Sequence, residues 1–99
     1  MINVTVRHSV ADFDTWKTGF DGHEAARRAH GATGAVVNRV VGSPNEILIK
    51  IGFSDLAGAE AFLGDPSLKE AMAKAGVTSA PDIIVAEQVE AVEYSGASA

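Results

Sequence analysis

Apolar and polar residues alternate from the first positions of the chain: Ile2, Val4, Val6 and His8 against Asn3, Thr5 and Arg7. A period of two is the signature of a strand with one apolar face, and His8 closes that apolar row. The period then changes. From Asp12 to Gly31 the step of a helix, about 100° per residue, puts Phe13, Trp16, Phe20, His23, Arg27 and His30 on one stripe, aromatic first and cationic afterwards. Asp12 is placed to cap this helix, and Arg27, Arg28, His30 and Gly31 mark its end. Thr15, Thr18, Gly22, Ala25, Ala26 and Ala29 form a second face small enough to pack on another element. Gly19 and Gly22 weaken the helical interior, predicting a bend near residues 20 to 23.

Strand patterning returns at Ala35 to Val41, and a turn is expected at Gly42-Ser43-Pro44-Asn45. The next strand, Glu46 to Phe53, carries Ile47, Ile49, Ile51 and Phe53 on one face. It should lie antiparallel to its predecessor. Ser54 is then expected to cap a helix bearing Leu56, Ala59, Phe62 and Leu63, broken at Gly64. A second short helix starts at Asp65-Pro66, turns Leu68, Met72 and Ala75 inward, and ends in a Schellman motif at Gly76-Val77. Pro81 introduces a last strand over Asp82 to Tyr94, with Ile83, Ile84 and Val85 as a buried start.

The order strand, helix, strand, strand, broken helix, strand predicts an α+β fold: a ferredoxin-like βαββαβ plait with a four-stranded antiparallel sheet and helices on one face. Its other face keeps apolar side chains beside Arg7, Lys50 and either Asn38 or Arg39, with Glu87 or Glu90 as ion partners, so a second subunit is expected to cover it. Residues 1–94 are assigned to one domain and 95–99 to a flexible tail.

Composition narrows the picture. At 99 residues and 46% hydrophobic content, one domain can bury enough surface to fold. With no cysteine, disulfides, thiolate metal sites and cysteine nucleophiles are excluded, as suits a cytoplasmic protein. Residues 1–7 lack the basic and apolar pattern of a secretion signal, and no stretch reaches the ~18 apolar residues of a membrane span. A formal net charge of −5 without a basic patch argues against nucleic acid as a partner. His23 and His30 stand two helical turns apart, about 10 Å, too far to share a metal ion, so no metal is expected.

Two readings of the aromatic-cationic stripe stay open. Either the helix turns polar where it runs past the sheet edge, or His23 and Arg27 border a cavity between helix and sheet, with His8 on the opposite wall. In the second reading His23 and His8 move protons and Arg27 stabilises an oxyanion. Trp16, Phe20 and Phe62, core residues first, would then wall a small apolar or aromatic ligand.

The chain resembles the dimeric α/β barrel superfamily, which includes antibiotic-biosynthesis monooxygenases and small polyketide cyclases. The resemblance rests on Asp12-Phe13, Trp16, Phe20, Arg27 and Gly31, then Ala59 and Phe62, then Leu68, Met72, Ala75-Gly76-Val77 and Pro81. It implies a homodimer with facing sheets and a ligand cleft in each subunit between sheet and helices. The family's monooxygenases work without a cofactor around an aromatic substrate using an asparagine, a tryptophan and an arginine. Here the only tryptophan lies on the first helix, and that set does not carry over. Cyclase-like members use histidines near the first strand, where His8 stands. The leading expectation is therefore cofactor-independent acid/base chemistry on an apolar cyclic or polyketide-like molecule, cyclase- or isomerase-like. The alternatives are a cofactor-free monooxygenase of the same fold and a non-catalytic ligand-binding or accessory protein.

Overall fold

A computed structural model of the chain describes residues 1–95. Its elements run β1 (Ile2–Ser9), α1 (Phe13–Gly22), α2 (Glu24–Ala29), β2 (Ala32–Val40), β3 (Ser43–Phe53), α3 (Leu56–Leu63), α4 (Pro66–Lys74) and β4 (Asp82–Glu87). The four strands form one sheet in the order β2-β3-β1-β4, antiparallel throughout. With the helices on one face this is the ferredoxin-like plait that the alternation of periods predicts.

Register explains why that face is the core. Val4, Val6 and His8 stand directly opposite Ile51, Ile49 and Ile47, so the two apolar rows merge beneath the helices. Val4, Ile47 and Phe53 are fully buried there, with Trp16 from α1 and Ala59 and Phe62 from α3 closing the other side. The approach of α3 to the end of α2 is tight: a Cβ on Gly58 would stand 2.3 Å from the carbonyl oxygen of His30, so only glycine fits.

Local signals hold in several places. Asp12 accepts the Thr15 amide at 2.9 Å, and Asp65 accepts the Ser67 amide at 2.9 Å with Pro66 behind it. The Schellman motif forms, with Gly76 at φ 81° and the Val77 amide donating to the Met72 carbonyl at 3.2 Å. The bend expected in the first helix is a full break at His23, which ends α1 and starts α2.

Other boundaries move. The hairpin turns at Val41-Gly42, not at Gly42 to Asn45, so β3 begins at Ser43 and β2 already at Ala32. Asn45 is thereby freed to accept the Phe13 amide through Oδ1 at 3.2 Å, while its carbonyl accepts the Val10 amide at 2.8 Å; it pins the loop between β1 and α1. Asp55, one residue beyond Ser54, caps α3 by accepting the Gly58 amide at 2.7 Å, and the Ser54 hydroxyl donates to the Gly31 carbonyl instead. The final strand stops at Glu87, and the run from Gln88 to Tyr94 continues without regular structure. Ile83, Ile84 and Val85 are exposed, 40, 64 and 40%, and not the buried start expected, because β4 is an edge strand and Ile84 points away from the helices. The tail assigned to 95–99 lies outside the described residues beyond Ser95.

The face of the sheet away from the helices carries Thr5, Arg7, Val36, Asn38, Leu48, Lys50 and Ile84, as their mutual register requires. Arg7 pairs with Glu46 across β1 and β3, not with Glu87, which stands opposite Ile2 on the helix side. Arg39 also faces the helices, its guanidinium 4.6 Å from the Phe13 ring centre. Among the described residues no helix is long and apolar enough to cross a membrane.

Candidate functional site

The apolar stripe of α1 lies on the sheet as its period demands, and β1 presents His8 to it from below. His8 is 4% exposed and its ring meets Trp16 edge-on at 5.7 Å. Trp16 in turn stacks on Phe20 at 5.0 Å. Arg27, from α2, folds back over the Phe20 ring at 3.7 Å and donates from Nη1 to the Phe20 carbonyl at 2.7 Å. The break at His23 makes this possible, since it swings α2 enough for a side chain seven positions later to reach that carbonyl. Arg27 is 6% exposed, a buried cation and not a residue running past the sheet edge.

These groups surround a cavity of about 60 Å³ whose walls include His8, Trp16, Phe20, His23, Arg27 and Phe62, the six residues singled out in the sequence. Val6, Ile49, Ile51, Leu68, Met72 and Ile83 complete an apolar lining. At ~10–15 Å³ for each water this is room for roughly four waters or one small ring. Ile83 is both wall and surface, so the cavity opens beside β4, in the seam that α4 leaves when it packs on α1 through Gly19 and Ala75. The small-residue face expected to carry the helix contact does not carry it; Gly19, outside that face, does.

The three histidines differ in their partners. His23 Nε2 hydrogen-bonds with the Ser67 hydroxyl at 3.1 Å, and His30 Nε2 meets Asp65 Oδ2 at 2.8 Å, so both tie α2 to the first turn of α4. Each ring also leans on Phe62, at 6.0 and 6.1 Å. The hydrogen bond from His30, helped by the Ser67 amide and hydroxyl, pulls the Asp65 carboxyl down to about 2. By contrast, both ring nitrogens of His8 are buried without a hydrogen-bond partner. Burial pushes the His8 imidazole below its usual value, and burial, then the Arg27 charge, does the same to His23. Burial also lowers Arg27, countered by Glu24 and Asp21 at longer range. The site thus joins a neutral imidazole with free nitrogens to a buried guanidinium inside an apolar wall. Such a pair can accept a proton and hold the resulting anion.

Sequence reasoning missed Ser67 and Asp65 as partners of the histidines. Asp65 and Pro66 read as a helix start, and nothing local places Asp65 and Ser67 beside residues 35 and 44 positions earlier.

The fold is shared with proteins named for antibiotic biosynthesis monooxygenases and cofactor-independent oxygenases. A variant of SnoaB, a cofactor-independent oxygenase from Streptomyces nogalater, superposes with a TM-score of 0.75 at 12% identity, covering 94% of this chain and 97% of its own. A Deinococcus radiodurans protein named as a candidate antibiotic biosynthesis monooxygenase gives 0.71 at 19% identity, covering 97% of this chain and 100% of its own. A Nitrosomonas europaea protein of unknown function, NE2512, gives 0.71 at 20% identity, with coverage of 96% and 95%. No family model matches the sequence, and no curated protein matches it either.

Proposed function

We propose that this protein is a cofactor-independent enzyme that removes a proton from a small apolar ketone, enol or phenol, in the manner of a cyclase or isomerase. The observation that carries the reading is His8, whose two buried ring nitrogens lack any partner in the wall of an apolar cavity. Unsatisfied buried polar atoms are costly, and a site that keeps them gains by offering them to a ligand. A neutral imidazole there is a base; positioned proton transfer contributes typically 10²- to 10⁴-fold. Arg27 supplies charge for the enolate or phenolate oxygen, and Trp16, Phe20 and Phe62 hold the ligand's body. His23, engaged with Ser67, steadies α4 over the cavity and is the second candidate for proton transfer.

The test is exchange of α-hydrogens into D₂O, followed by NMR for small cyclic ketones with cyclohexanone first. The wild type should accelerate exchange, and His8→Gln should lose at least ~10²-fold with the fold intact by circular dichroism. Exchange at the buffer rate, from compounds that do perturb Trp16 emission, rejects catalysis and leaves a binding or accessory protein.

A second reading is favoured by the fold shared with SnoaB. The same deprotonation prepares a carbanion that O₂ can oxidise, a methylene and O₂ becoming a carbonyl and water. Oxygen uptake measured with the same compounds separates the two. In either case the open sheet face suits a second copy of the chain: Val36 and Ile84 lie exposed there among Thr5, Arg7 and Lys50. Light scattering should then give twice 10.2 kDa, and Lys50→Glu should shift the mass toward one copy.

A further inference from the structure

We propose that the groove between α2 and the start of β2 is the outer half of this same site and binds a carboxylate of the ligand, whose apolar body occupies the inner cavity. The proposal rests on reading that cavity as a ligand site, and Arg27 is the joint between the two. Its side chain lines the inner cavity and also the groove, an open space of about 530 Å³ walled by Glu24, Arg28, Ala32, Thr33, Gly34 and Ala35 as well.

Arg27 is 6% exposed, yet among the described residues no carboxylate lies in ion-pairing range of it. Its recorded polar partner is the Phe20 carbonyl, through Nη1. A buried guanidinium without a counter-ion is unfavourable unless something supplies one, and its planar fork matches a carboxylate. Arg28 adds a second cation to the groove, held only loosely to Glu24 at 3.5 Å with both side chains largely exposed. Glu24 on the rim opposes a doubly charged anion, which favours a single carboxylate. The sizes agree: the inner space admits one ring, while the groove is roomy enough for a polar chain. The ligand class is thus an apolar ring bearing an acid side chain.

The experiment compares 3-phenylpropanoate with 3-phenylpropan-1-ol, which share a body and differ in charge, using emission from Trp16, the single tryptophan. The acid should bind at least ~10-fold more tightly at low salt, and added salt should erode that advantage. Ala35→Phe, which fills the groove from an exposed strand position, should abolish the advantage while the alcohol binds as before. Arg28→Gln, on the surface, should reduce it by about two- to five-fold. Equal affinities, or an advantage that survives Ala35→Phe, overturns the groove while the inner cavity stands. If neither compound perturbs Trp16, both readings fall.

Discussion

The two halves of the helical layer are built differently. Over β1 and β3, α1 and α3 bury Trp16, Ala59 and Phe62 against Val4, Ile47 and Phe53, none of them more than 2% exposed. Toward β4, α4 has no fully buried side chain along its length, and every residue of β4 is exposed. Tight packing maximises dispersion contacts and the loss of apolar surface from water; the looser half gives up both and gains a cavity with a mouth. His8 lies where the halves meet. Polar clasps, His23 with Ser67 and His30 with Asp65, hold α4 where hydrophobic contact is thin.

That contrast can be broken most directly by truncation. Phe53→Ala should cost about 3–5 kcal/mol in urea unfolding, whereas Leu68→Ala on α4 should cost about 2 kcal/mol or less because its surroundings are already open. Equal losses would mean that α4 is core like the rest. Within the packed half, Gly58→Ala drives a methyl toward the His30 carbonyl and should destabilise by about 1–3 kcal/mol, read by the same unfolding curve. A neutral result there would show that the joint between α2 and α3 yields easily.

The smallest effect sharpens the role of the seam. Burial lowers the proton affinity of His8 and His23 in the folded state, while the unfolded chain takes up protons near the ordinary histidine value of about 6.5. Their contribution is therefore complete above about pH 6.5 and is lost as the pH falls toward the depressed folded values. Thermal unfolding should show stability dropping between pH 7 and pH 5, and His8→Leu should flatten part of that slope. Asp65, held at about 2, loses its contribution only below about pH 4, so the two ranges separate. A slope unchanged in His8→Leu would place the histidine in a hydrated environment and remove the basis for treating it as a buried base.

Much of this architecture was legible in advance where the cause is local. Strand alternation put Val4, Val6 and His8 on one face, and the caps at Asp12 and Asp65 and the turn at Gly76 act within a few residues of themselves. Where two local signals competed, the reading slipped: Pro44 and Asn45 looked like a turn, but Asn45 is needed in β3 to pin the loop before α1. Ser54 was the expected cap, but its hydroxyl is taken by the Gly31 carbonyl, a contact with a distant segment, and Asp55 caps the helix instead.

By itself, then, the sequence determined which side chains turn toward the sheet, and so it brought six chemically suggestive residues to one side of the molecule. Only the tertiary structure decided how far each is satisfied. It left His8 without partners, engaged His23 and His30 with α4, and laid Arg27 back over Phe20. It also left Ile83, Ile84 and Val85 uncovered. Period and propensity describe a residue relative to its own helix or strand. Burial, ion pairing and cavities depend instead on where a distant segment comes to rest, which is fixed by the packing of the whole chain.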